Sequence, residues 1–170
     1  VDEKTIALRL ALAAVLGGVL GLEREVRGQD AGLRTHILVS LGACCFTLAS
    51  VFIEAPLASS EAPDAVRVDI SRIASQVVVG IGFLGAGVIL RHGGQVRGLT
   101  TAANLWLTAS VGLVAGLGLY FAAGATVVIS LLSLVGLRPV ERAIHRYRKR
   151  RGLVADRDVV GSPPDSGDAS

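Results

Sequence analysis

From Gly98 to Leu137 the chain runs for 40 consecutive residues without an Asp, Glu, Lys or Arg. That is too long for one buried core helix. It suits two helices of about 20 residues, each rising 1.5 Å per residue across a hydrocarbon layer about 30 Å thick. The stretch divides best at Gly116-Leu117-Gly118, which places spans at about Leu99 to Leu117 and Leu119 to Leu137. Composition extends the point to the whole chain of 170 residues, 51% hydrophobic and only 18% charged. A soluble surface needs roughly a quarter of charged residues. A soluble enzyme, a disordered chain and a small secreted disulfide scaffold are therefore excluded. An aromatic content of 4% argues against the girdles of a membrane β-barrel, whereas 21 glycines suit closely packed membrane helices.

Three further apolar runs precede the long one. Ile6 to Leu22 is just long enough to span, with Arg9 near its start expected to snorkel to the interface. Ile37 to Ile53 carries no charge, and Ile73 to Leu90 is the third run. The fold expected is all-α, with five transmembrane helices. Glu54 to Arg72, with Pro56, Pro63 and four acidic residues, reads as a solvent loop. Arg91 to Arg97 reads as a short polar turn built on Gly93 and Gly94. In this arrangement 13 Lys and Arg fall on one side of the membrane and four on the other. The positive-inside rule then puts the N-terminus outside and the C-terminus in the cytoplasm. Two regions follow: a five-helix membrane domain over residues 1–137, and a basic juxtamembrane segment with a disordered cytoplasmic tail over 138–170. Seven of the 17 basic residues lie between Arg138 and Arg151, directly after the last apolar run. That position marks a membrane anchor, so the lipid bilayer is the expected partner and nucleic acid is not.

Gly80, Gly82 and Gly85 match the GxGxxG dinucleotide fingerprint, but no carboxylate lies between Asp69 and Glu141, so the acidic residue the fingerprint requires is missing. With Gly87 they read instead as the helix-packing face of a transmembrane helix, expected to admit a close neighbouring helix or to expose backbone carbonyls to a conduit, and Gln76 reads as polar glue. Gly17 and Gly21, and likewise Gly112 and Gly116, stand four apart and are candidate helix-packing faces that also allow a homo-oligomer. The most informative polar stretch is Glu23 to His36, where Glu23, Glu25 and Asp30 alternate with Arg24, Arg27 and Arg34, followed by Thr35. Carboxylates suit a hard divalent cation, while the interleaved arginines suit an anion or neutralise the acids. Spacing does not choose between them, and the metal remains open. Thr100 and Thr101 are candidate caps of the fourth span, and Asn104, one turn further in, is either interhelical glue or part of a polar pocket. His36, His92 and His145 stand at three separate boundaries and do not suggest a metal site. Cys44 and Cys45 read as small helix residues. No catalytic constellation is present in the sequence, so neither an enzyme nor a cofactor is expected.

Three blocks together resemble the MgtC/SapB family of bacterial inner-membrane proteins: GLEREVRGQDAGLRTHILVSLGA at Gly21 to Ala43, VVVGIGFLGAGVILRHGGQVRGLTTAANLWLTASVGLVAGLG at Val77 to Gly118, and the apolar fifth run. The resemblance implies a multi-pass protein of the cytoplasmic membrane, with five helices and a cytoplasmic C-terminus. It implies a role in magnesium or proton homeostasis and in adaptation to magnesium limitation or acid stress, by modulation rather than catalysis. The membrane ATP synthase is one implied partner; a transporter or channel for a cation or small solute is the competing class. In this sequence the resemblance singles out Gly21, Glu23, Arg24, Gly32, Arg34 and Thr35, then Gly82, Gly85, Gly87, Gly98, Thr100, Thr101, Ala102, Ala103 and Trp106. Longer members carry a folded cytoplasmic domain, which the 33 residues after Leu137 are expected to be too short and too polar to form.

The orientation gives a direct expectation. With Cys44 and Cys45 replaced, a cysteine at Ser60 should react with an impermeant thiol reagent on intact cells and one at Ser166 should not. The reverse pattern overturns the topology.

Overall fold

The computed structural model describes residues 2–58, 71–92 and 95–150. Helix α1 (Glu3–Val26) starts at Asp2, whose carboxylate accepts the Thr5 N–H at 3.3 Å, and α2 (Leu33–Ala58) follows after a short connection. Then come α3 (Ser71–Val88), a small antiparallel hairpin of β1 (Leu90–His92) and β2 (Gln95–Arg97), α4 (Leu99–Gly116), α5 (Tyr120–Gly136) and α6 (Arg138–Arg150). Two compact units are distinguished, Val1–Leu131 and Leu132–Ser170.

The architecture is helical and multi-spanning. Among the described residues four stretches are long and apolar enough to cross a membrane: Glu3–Val26, Leu33–Phe52, Leu99–Gly116 and Tyr120–Arg148; Ser75–Val88 in α3 is apolar but shorter. Their outer surface is apolar too: Phe83 and Phe121 are 83% and 90% exposed, and Leu8, Val15, Leu38, Val79 and Ile129 are also open. Such a surface is untenable in water and ordinary in lipid.

Two helices end in the same way for the same reason. At the end of α1, Gly28 donates to the Glu25 carbonyl and Gln29 to that of Arg24; at the end of α4, Gly118 donates to Ala115 and Leu119 to Val114. This is the Schellman arrangement, which needs a left-handed residue, and Gly28 and Gly118 supply it with φ of +61° and +84°. The break expected at Gly116-Leu117-Gly118 is where the chain turns.

Elsewhere the boundaries differ from expectation. Residues 54–58, expected in a loop, continue α2 through Pro56, which in the last turn forgoes only one helix bond. Residues 71 and 72 already belong to α3. The rest of that loop, Gly93 and Gly94, and the tail from Gly152 onward lie outside the described residues. The turn expected over Arg91 to Arg97 is a hairpin pairing Leu90 with Arg97 and Arg91 with Val96. Thr100 and Thr101 do not cap α4. Gly98 holds the N-cap position, pressed so closely on the Val88 carbonyl that a side chain would not fit, and both threonines lie inside the first turn.

In the first unit α1, α2 and α4 pack on one another, and α3 lies against α4 and more lightly against α2. One apolar cluster joins Ala13, Leu20, Cys44, Leu48, Val111 and Ala115 with Ala123 and Val127; a second joins Ala31, Ala43, Ile81, Leu105 and Ala109. What lets α2 sit between α1 and α4 is glycine. A Cβ on Gly17 would lie 2.7 Å from the His36 carbonyl oxygen, and one on Gly21 2.8 Å from Leu33 Cα. From the other side, Gly112 abuts the Ser40 carbonyl and a Cβ on Gly116 would lie 2.8 Å from Thr47 Cβ. The glycines of α3 are different. Gly85 has room beside Ala102, at 3.7 Å, and Gly80, Gly82 and Gly87 have nothing within 4 Å among the described residues.

Leucine at Gly17 or Gly112 should therefore lower thermal stability in detergent sharply, since overpacking costs about 1–3 kcal/mol and here the obstacle is backbone. Leucine at Gly82 should change the melting temperature little. Equal losses at all three positions would contradict this division of the glycines.

Candidate functional site

Each of the three central helices carries a stripe of small or polar residues at three- and four-residue spacing. On α1 it is Ala13, Gly17, Gly21 and Arg24; on α2, His36, Ser40, Cys44 and Thr47; on α4, Thr101, Asn104 and Thr108. All are buried, and the two polar stripes meet. Asn104 Nδ2 stands 3.0 Å from His36 Nε2, joining α4 to α2. On the other side of the ring, His36 Nδ1 is 2.9 Å from the Gly32 carbonyl oxygen. A carbonyl only accepts, so Nδ1 carries the proton, which leaves Nε2 to accept from the Asn104 amide as it is oriented here. His36 is thus a fully buried neutral ring bonded at both nitrogens. Thr108 extends the stripe by donating to the Asn104 carbonyl at 2.8 Å. The Ser40 hydroxyl, also buried, has no hydrogen-bond partner among the described residues.

A charged group sits at the neighbouring end of α1. Arg24 is only 4% exposed; its Nη2 donates to Gln29 Oε1 at 2.6 Å and its Nη1 lies 3.6 Å from Glu23 Oε2. Glu23 also pairs with Arg27 one turn on. Glu25 has a different task. Its Oε2 accepts the Leu33 N–H at 3.0 Å, so the last turn of α1 caps the first turn of α2 with a negative charge where the helix dipole favours one. Gly32 makes room for that carboxylate, because a side chain there would collide with it.

At the opposite end of α1, Arg9 does more than snorkel. Its Nη1 donates to the Gly116 carbonyl at 2.6 Å, placing a cation on the C-terminal end of α4.

Of the residues singled out from sequence, Glu23, Arg24, Thr101 and Asn104 lie in this buried region. Glu25 is exposed at the helix junction, and Asp30, Arg34, Thr35 and Thr100 are exposed. Sequence reasoning missed His36, Ser40 and Gln29. His36 was readable: it lies four residues after Gly32 and four before Ser40, on the α2 face that must meet the glycines of α1.

A helical membrane protein with a polar hub between three spans is the class these features define. The MgtC family matches residues 10–143, and the chain belongs to it. The chain is 49% identical over 113 residues to the "Putative magnesium transporter YhiD" of Escherichia coli K12, a match covering 66% of this chain and 51% of that protein. It is 44% identical over 139 residues to Protein MgtC of Salmonella typhimurium, covering 82% and 55%, and 39% identical over 166 residues to a Haemophilus influenzae protein, covering 94% and 69%. The chain thus spans about half the length of the Escherichia coli and Salmonella relatives. No solved structure matches it.

The His36–Asn104 contact predicts coupling. Leucine at either position alone strands a buried polar partner, a loss of about 1–3 kcal/mol. The double replacement should cost less than the sum, with a coupling of about 0.5–3 kcal/mol in denaturant unfolding in detergent. Strict additivity would remove the bond from the account.

Proposed function

We propose that this chain is a five-span protein of the bacterial inner membrane, N-terminus outside and C-terminus in the cytoplasm. In this reading it modulates a membrane process tied to magnesium or proton homeostasis through contact with another membrane protein. Residues 1–137 form the membrane domain and residues 138–170 a cytoplasmic extension. Glu23, Arg24 and Asn104, with His36, hold the central helices in the form that the partner recognises, and the exposed Asp30, Arg34, Thr35 and Thr100 offer polar contacts at the cytoplasmic edge. The membrane ATP synthase is the partner class that the family resemblance suggests.

One observation carries the choice of modulation over transport. A cavity of about 770 Å³ opens between α2 and α3, lined by Leu38, Phe46, Val77, Ile81, Gly42 and Gly80, with Gln76 as its polar side chain and Ala109 of α4 at its floor. Neither Glu23 nor Asn104 lines it. A cation pathway needs polar groups along its wall, whereas an apolar glycine-edged groove suits a transmembrane helix of another protein. The competing reading is a transporter, the role that the name of the Escherichia coli relative carries.

Flux in reconstituted vesicles separates the two. With a magnesium or proton indicator inside, the wild-type chain should give no more flux than empty vesicles, and Glu23→Gln should be indistinguishable from it. Saturable flux by the wild type, abolished in Glu23→Gln, would replace modulation by transport.

A further inference from the structure

Helix α6 is a 13-residue helix with six basic residues and one acidic one. Its charges are not spread evenly around it. At 100° per residue, Val140, Ala143, Ile144 and Tyr147 fall on one stripe about 100° wide. Arg138 and Arg142 fall opposite the stripe, and Arg148 at its edge. Val140, Ile144 and Tyr147 are 51%, 53% and 55% exposed, so the apolar stripe is half open, and Arg142, Arg146 and Arg148 are exposed as well. Leu137 is a single turn residue between α5 and α6, its N–H still donating to the Ser133 carbonyl at 3.4 Å, and Pro139, which has no N–H, omits one bond of the ladder at the junction.

A short, strongly basic helix with a narrow apolar stripe suits neither water nor the hydrocarbon core. Its place is the plane of the headgroups, the apolar stripe sunk to the acyl boundary and arginine stems running up to the phosphates. We propose that α6 is an interfacial helix that binds anionic phospholipid headgroups, with Val140, Ile144 and Tyr147 inserted and Arg142, Arg146 and Arg148 on the lipid phosphates. Charge complementarity selects the occupant. Half-buried apolar side chains alone would accept any bilayer or a protein groove, but this excess of guanidinium groups favours a negatively charged surface, and each basic residue strengthens that attraction about fivefold.

The full chain is reconstituted in nanodiscs of phosphatidylcholine alone or with a third phosphatidylglycerol. A polarity-sensitive dye is carried on Ala143→Cys in a Cys44→Ala, Cys45→Ala background, and headgroup spin-labelled lipid serves as quencher. In phosphatidylglycerol discs the dye should shift to the blue and be quenched, and 0.5 M salt should weaken both effects. Arg142→Gln, Arg146→Gln and Arg148→Gln together should lower the ratio of inserted to free helix on the order of 100-fold. Amide hydrogen exchange on the unmodified chain is the second measurement: residues 138–150 should exchange at least tenfold more slowly in phosphatidylglycerol than in phosphatidylcholine. A dye that stays in water in both bilayers, quenching indifferent to lipid charge and to the three substitutions, or exchange rates equal in the two lipids would each overturn the proposal. So would shielding that follows the protein-to-lipid ratio in both lipids, which would instead identify a second copy of the chain as the occupant.

Discussion

The position of α2 between two glycine faces is the constraint on which the rest of the first unit depends. Lipid tails are as apolar as leucine, so helices in a bilayer gain little by burying apolar surface against one another; close packing and interhelical hydrogen bonds hold them instead. Gly17 and Gly21 on α1 and Gly112 and Gly116 on α4 bring both neighbours against the backbone of α2, and Ser40 is touched from both sides. At that separation there is no room for a side chain at the four glycine positions. The α2 positions pointing inward hold His36, Ser40, Cys44 and Thr47, all fully buried or nearly so. Most polar groups so placed find partners within the protein: the His36 ring is bonded at both nitrogens with Asn104 opposite it, and the Thr47 hydroxyl donates to the Ala43 carbonyl, while the Ser40 hydroxyl is the exception among the described residues.

The charged end of α1 follows from the same geometry. At 24 residues α1 is about 36 Å long, more than the hydrocarbon thickness, so its last turn reaches the polar boundary where ion pairs are tolerable. There the carboxylates are already committed. Glu23 pairs with Arg24 and Arg27, and Glu25 caps α2, so the two acids serve separate structural tasks rather than converging on one ligand. This weakens the divalent-cation reading of the segment: a hard cation would have to take Glu25 from the α2 amide and Glu23 from its arginines, leaving buried Arg24 less well compensated.

The helices were legible because hydropathy and length act on long stretches: 40 residues without charge admit few solutions, and Gly118 marks where they are divided. What sequence left hidden is mostly a matter of direction. Glycines at four-residue spacing look alike on α1, α3 and α4, yet those of α1 and α4 meet backbone while Gly80, Gly82 and Gly87 of α3 meet nothing within 4 Å. Spacing says that a smooth face exists, not that a neighbour covers it. His36 was obscured by the opposite error: an ionisable residue at the edge of an apolar run reads as a boundary marker, whereas α2 begins at Leu33 and encloses it. The hairpin between α3 and α4 was unreadable for a simpler reason, since strands of three residues are too short for alternation to register.

These two kinds of glycine face bear on how the molecule acts. Where α1, α2 and α4 meet, backbone contact and the His36–Asn104 bond leave no slack; moving one helix would break a buried polar contact, at a cost that favours a single arrangement. Along α3 the packing is looser, except at its last residue, Val88, whose carbonyl lies against Gly98. The helix lies against α4 with Gly85 beside Ala102 at an ordinary van der Waals distance, only lightly against α2, and of its open glycines Gly80 borders the groove. A path for ions through the molecule would have to open along the rigid seam, where the polar groups are. A contact with another transmembrane helix needs only the α3 side, where the smooth surface already lies open, and Gln76 there offers one amide to fix its register. In the proposed reading, this division of polar hub from apolar groove is what favours recognition at the groove over conduction through the hub.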